Sequence, residues 1–170
     1  MKRTNLSSPP SPRPTKPPGT DSTPSLILVI GYGNDLRGDD AVGPRVAAAV
    51  AASSWPGVKT MAVQQLTPEL SEPLSVARAA IFVDAAHESQ EGEVKLARLE
   101  PDAQAKMAGH LGHPEAVLAL AKAAFGRSPP AWLVTIPCTN FDFGTGLSPA
   151  AEQGMRAAIE RVRELICELN

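Results

Sequence analysis

The chain reads as an α/β protein: a single three-layer domain with a mostly parallel, twisted sheet and helices on both faces. Three observations predict this. Short continuous apolar runs recur from residue 26 onward, as expected of strands buried on both faces. Segments with helical spacing separate them, the pattern of βα units feeding a parallel sheet. Hydroxyl–proline pairs and glycines punctuate the ends of those segments.

The elements follow in order. Residues 26–30 (Leu-Ile-Leu-Val-Ile) form the first buried strand. Val42, Val46, Ala49 and Val50 then repeat at helical spacing across residues 42–52, and residues 58–64 read as a second strand. Thr67-Pro68-Glu69 marks a helix start, with a hydroxyl at the N-cap, proline at the first position and an acid in the first turn. Ala80-Ile81-Phe82-Val83-Asp84 is a third strand, and the more polar, alternating segment from Glu93 to Leu99 is an edge strand. Pro114-Glu115 opens a helix through Phe125, closed by Gly126 and then Pro129-Pro130. Trp132 to Ile136 is a further buried strand. The last helix starts at Ser148-Pro149 and puts Met155, Ile159, Val162, Leu165, Ile166 and Leu169 on one face. No internal repeat is visible.

With 170 residues, there is room for one domain with a substantial core. Residues 1–25 carry a net charge of +3, and seven of the 17 prolines fall at positions 9–24 among Ser and Thr. This extension lacks the apolar stretch of a secretory signal and is expected to stay disordered. The domain at 26–170 carries −5, a poor match for a nucleic-acid backbone. No segment approaches the ~20 apolar residues of a membrane span, so a cytoplasmic protein is expected. The two cysteines, Cys138 and Cys167, have no paired metal-ligand spacing, and the apolar neighbours of Cys167 suggest a small core residue.

The most informative stretch is Gly31-Tyr32-Gly33-Asn34-Asp35-Leu36-Arg37-Gly38-Asp39-Asp40-Ala41-Val42-Gly43. Glycine-rich turns after a first strand commonly cradle phosphate. Here Leu36 stands where the third glycine of the dinucleotide fingerprint belongs, and Asp39-Asp40 would repel a pyrophosphate. A nucleotide-binding α/β protein is therefore disfavoured. Carboxylates in this position suit a cation. Asp84 closes the third strand and should emerge at the same sheet edge, where ligands of open α/β sheets bind. His110 lies in the loop Gly109-His110-Leu111-Gly112-His113, just before the Pro114 helix. Two carboxylates and an imidazole form a donor set for a borderline divalent ion. Each also has a structural reading. An acid at a helix start complements the dipole, a strand-end Asp forms turns, and a loop histidine, whether His87, His110 or His113, is often only solvated. Cys138, after a buried strand, is of a kind usually inert.

In this order and spacing the motifs resemble the hydrogenase maturation endopeptidases, which process the large subunit of nickel–iron hydrogenases. The resemblance covers roughly residues 26–168. It rests on the Gly31–Gly43 loop, on Asp84, on the His110 loop with the Pro114 helix, and on Phe141-Asp142-Phe143-Gly144-Thr145-Gly146-Leu147-Ser148. Ala41 replaces a common glycine, a mild departure. The resemblance implies that Asp40, Asp84 and His110 contact metal, with His113 as the alternate. It implies a nickel ion carried by the substrate, the precursor large subunit, from which a C-terminal peptide is removed. It also implies a monomer. A non-catalytic nickel-sensing chaperone for the same subunit would share these motifs and differ only in leaving the precursor uncut.

Overall fold

In the computed structural model, which describes residues 26–88, 92–102 and 112–170, the first apolar run becomes strand β1, Ile27–Tyr32. It pairs in parallel with β2, Val58–Val63, on one side and with β3, Ala79–His87, on the other. β3 pairs in parallel with β5, Ala131–Cys138. The polar strand β4, Lys95–Leu99, lies antiparallel on the edge beyond β5. The five-stranded order is thus β2-β1-β3-β5-β4. Residues 1–25 lie outside the described residues, as does His110.

The period-two alternation of strand side chains divides the core between two faces. Ile27 and Val29 of β1, with Ile81 and Val83 of β3, pack against helices α1, Val42–Ala52, and α4, Pro149–Leu169. Leu28, Ile30, Ala80 and Phe82 face α2, Ser71–Ser75, and α3, Pro114–Phe125. All eight of these side chains are buried. Burial on both faces is what lets β1 and β3 be continuously apolar, each fully buried Val, Leu, Ile or Phe contributing about 1.5–3 kcal/mol. Among the described residues no helix is long and apolar enough to cross a membrane.

Helix ends fall where the punctuation places them, with two differences. Ser148 caps α4 by accepting from the Ala151 amide at 3.2 Å, and Gly126 closes α3 in the left-handed conformation, φ 74°. Thr67 takes the extended conformation of an N-cap, but its hydroxyl does not cap the helix. It hydrogen-bonds Glu69 instead, and the segment runs as a 3-10 turn, Pro68–Leu70, before the single turn of α2. The second difference is a correction. Cys167 is exposed, and Cys138 is the buried cysteine. On α4 the buried face is Ala158, Val162, Leu165 and Ile166, and Cys167 lies about half a helical turn around from its centre. Apolar sequence neighbours did not share its face.

The start of α1 sits directly on the sheet. A Cβ on Gly31 would lie 1.9 Å from the Gly43 carbonyl oxygen. One on Gly43 would lie 2.6 Å from the carbonyl oxygens of both Tyr32 and Val83. Two glycines that face each other therefore let the turn between β1 and α1 fold down over the carboxyl ends of β1 and β3.

Candidate active site

The strand order reverses between β1 and β3: the chain leaves β1 for β2 on one side and β3 for β5 on the other. Such a switch point opens a crevice beyond the carboxyl ends of the strands. The turn after β1 fills one wall of it. Gly33 adopts φ 146°, where a Cβ would also meet the Asp40 carbonyl oxygen at 1.9 Å, so only glycine fits. The Asn34 amide donates to Asp40 Oδ2 at 2.8 Å, and Asn34 Oδ1 accepts from the Leu36 amide at 2.9 Å. The turn then closes as a 3-10 helix, Gly38–Ala41, which carries both acids.

The two neighbouring aspartates do different things. Asp39 is fully buried, and its carboxylate is occupied by protein donors. Oδ1 accepts from the Ser148 amide at 2.7 Å; Oδ2 accepts from Ser148 Oγ at 2.9 Å and from the Asn140 amide at 3.1 Å. Its own amide donates to the Asn140 carbonyl at 2.8 Å. Backbone bonds from Gly38 to Gly144 and from Gly144 to Leu36 continue the seam. Asp39 is thus a structural anion that joins the β1–α1 turn to the β5–α4 loop. Asp40 is half-buried, accepts from the Asn34 amide, and has its second carboxylate oxygen available to the crevice.

Asp84 does not close its strand as expected: β3 continues three residues further, to His87, and Asp84 lies half-buried opposite Thr135 of β5, just past the last pairing of β3 with β1. Burial pushes its carboxyl up to about 6, and the charge of Asp40 adds to this; a hydrogen bond from Tyr32, the Ala85 amide and the charge of His113 pull the other way. Burial also drives the Tyr32 phenol well above its ordinary range, with the Asp84 carboxylate reinforcing it. His113 occupies the N-cap position of α3, and Glu115 in its first turn is near enough to act on Tyr32. The structure therefore places Asp84 within reach of the charges of Asp40 and, more weakly, His113. Among the described residues no group of three His, Cys, Asp or Glu side chains is gathered closely enough to hold a metal ion, and the predicted ligand His110 lies outside those residues.

Two neighbours do not take part as nucleophiles. The Cys138 thiol is buried, and desolvation together with Asp39, Asp40 and Asp84 pushes it up to about 12, leaving it protonated at neutral pH. Ser148 Oγ is committed to Asp39 and to the α4 cap. His87 stacks edge-on against Phe141, with ring centroids 5.1 Å apart.

The sequence pattern missed Tyr32. It contains the signal, a lone tyrosine inside the glycine turn, but only the pairing of β1 with β3 brings it opposite Asp84. Beside Gly33 lies a cleft of about 250 Å³ lined by Asn34, Asp35, Pro44, Val63 and Gln64.

An α/β fold of this kind is already known from solved structures. A hydrogenase 2 maturation peptidase from a Thaumarchaeota archaeon is 26% identical, with a TM-score of 0.62 over 83% of this chain and 97% of that one. The chain has the fold of the hydrogenase maturation peptidases. The hydrogenase maturating endopeptidase of E. coli superposes with a TM-score of 0.68 at 23% identity, covering 84% of this chain and 93% of its own. A NiFe hydrogenase maturation protease from Thermococcus kodakarensis gives 0.66 at 20% identity, covering 82% and 98%. No protein-family model matches the chain, and no curated protein matches it in sequence. The likeness to maturation peptidases is thus one of structure, and it spans most of the chain.

Proposed function

We propose that this protein is an endopeptidase that removes a C-terminal peptide from the precursor large subunit of a nickel–iron hydrogenase once that subunit carries nickel. The observation that carries the reading is the convergence of Asp40 and Asp84 in the crevice of a maturation-peptidase fold. Burial and then the charge of Asp40 disfavour ionised Asp84, so a divalent cation beside it relieves both the desolvation and the repulsion. The pair supplies oxygen donors and leaves the rest of the coordination sphere to other ligands, which suits an ion that arrives on the substrate. His110 is proposed as a third contact, the position that the motif resemblance assigns.

The nickel on the precursor can polarise a carbonyl or lower the pKa of a water. The chain's own part is to hold that ion against the scissile bond. Asp40 is fixed by the Asn34 amide, and Asp84 by the rigid strand that carries it. A cleft of about 250 Å³ between the turn after β1 and the end of β2, lined by Gly33, Asn34 and Val63, is proposed to take part of the peptide.

The test is to incubate the purified protein with nickel-loaded and nickel-free precursor and record intact masses. Loss of a C-terminal peptide from the loaded form alone is the expected result. Binding of the loaded form without a mass change would replace the peptidase by a nickel-sensing chaperone.

A further inference from the structure

Tyr32 is the chain's one tyrosine, and it holds the last position of β1. Parallel pairing sets Gly31 opposite Val83, so one step further along the strands Tyr32 and Asp84 come side by side. Tyr32 packs against the cluster that contains Phe82 and Val117, on the sheet face that Asp84 shares with Phe82 by alternation. The ring is held by that packing, and its hydroxyl donates to the Asp84 carboxylate.

We propose that Tyr32 is the positioning residue of Asp84: its hydroxyl occupies one carboxylate oxygen, fixes the rotation of the group, and directs the other oxygen toward the substrate's metal. This rests on the reading of Asp84 as a metal-contacting residue. The terminal torsion of an aspartate is broad and roughly two-fold, so the carboxyl plane has little preference of its own and takes it from a neighbouring donor. A phenol is suited to the task. It is rigid, with its hydroxyl at the end of a packed ring, and it is neutral. A lysine or arginine in its place would pair with Asp84 and cancel the charge that attracts the cation. Partners that orient a metal ligand in this way typically contribute about 10–100-fold to affinity.

The experiment measures binding of free Ni²⁺ by calorimetry to the full-length wild type, Tyr32→Phe, Asp84→Asn and the double variant, with thermal unfolding of each as a folding control. Tyr32→Phe is expected to weaken binding about tenfold and to have no further effect once Asp84 is already Asn. An equal loss in both backgrounds would make Tyr32 a packing residue only and overturn the proposal, as would unchanged binding in Tyr32→Phe. If Asp84→Asn binds as tightly as wild type, the reading of Asp84 fails first, and the proposal with it. A second measurement leaves Tyr32 in place. Biosynthetic 3-fluorotyrosine labels this residue alone, and Ni²⁺ should broaden its ¹⁹F signal in wild type but not in Asp84→Asn. A signal indifferent to Ni²⁺ in the wild type would place the ion away from the pair and overturn the proposal.

Discussion

Asp39 and Ser148, 109 positions apart in sequence, are joined twice: the serine amide donates to one carboxylate oxygen at 2.7 Å and its hydroxyl to the other at 2.9 Å. The same hydroxyl accepts from Ala151 and so also caps α4. One buried carboxylate thus ties the turn bearing Asp40 to the start of the last helix.

Removing it should unfold that seam. Asp39→Ala leaves the amides of Asn140 and Ser148 and the Ser148 hydroxyl without their acceptor in a partly buried seam, at a cost toward the low end of about 1–3 kcal/mol for each unsatisfied group. A loss of at least ~3 kcal/mol in urea unfolding is expected. Ser148→Ala keeps the amide bond and should cost about 1–2 kcal/mol through the lost cap and one side-chain bond. Equal stability of Asp39→Ala and wild type would contradict the structural role given to Asp39.

Asp40 and Asp84 should behave in the opposite way. Asp40→Ala and Asp84→Ala are expected to retain cooperative unfolding and to lower precursor processing by at least ~100-fold, as expected for direct contacts to the metal. His110→Ala should do the same. A gel or mass assay of precursor turnover decides the matter, and near-normal processing by all three would remove the proposed site.

Asp84 also makes a prediction about pH. Burial raises its carboxyl from the ordinary 3.8 to about 6, so the folded state holds this proton more tightly than the unfolded chain. Its favourable contribution is complete below the unfolded value of 3.8 and is lost as pH rises through about 6. Above that, Asp84→Asn should be the more stable protein, by on the order of 2 kcal/mol after allowance for partial exposure. The gap should close near pH ~4. Urea unfolding of both proteins at the two extremes measures it, and a difference independent of pH would show that the carboxyl is not strained by burial. A variant that is more stable and inactive is what a functional carboxylate predicts.

The cysteines give a simpler readout. Cys138 is buried and its thiol is pushed up to about 12, whereas Cys167 is exposed. In the native protein a thiol reagent such as Ellman's should titrate one group, and in denaturant two. Two fast-reacting thiols in the folded protein would place Cys138 at the surface.

Much of this architecture was legible in the sequence, because the signals are local. Continuous apolar runs at residues 26–30 and 80–84 correspond to β1 and β3, and Pro114, Gly126 and Ser148-Pro149 mark true helix ends. The turn after β1 could be read as presenting carboxylates rather than cradling phosphate. What the sequence did not separate was the work of Asp39 from that of Asp40, since the difference lies in bonds to Asn140 and Ser148 across the chain. Tyr32 was invisible for the same reason: its importance depends on strand register, a long-range property. Thr67 and Cys167 failed for local reasons. A competing acceptor at Glu69 took the Thr67 hydroxyl, and a position about half a turn off the core face exposed Cys167.

The seam between the two loops has a consequence for biosynthesis. When β3 has left the ribosome, the nascent chain already contains both Asp40 and Asp84, yet the partners that immobilise the Asp39–Asp40 turn, Asn140 and Ser148, have not been made. The crevice cannot take its final shape until β5 has inserted beside β3 and the start of α4 has followed. A partly synthesised chain therefore has the chemical groups of the site without their geometry, and competence arrives only with the last fifth or so of the polypeptide.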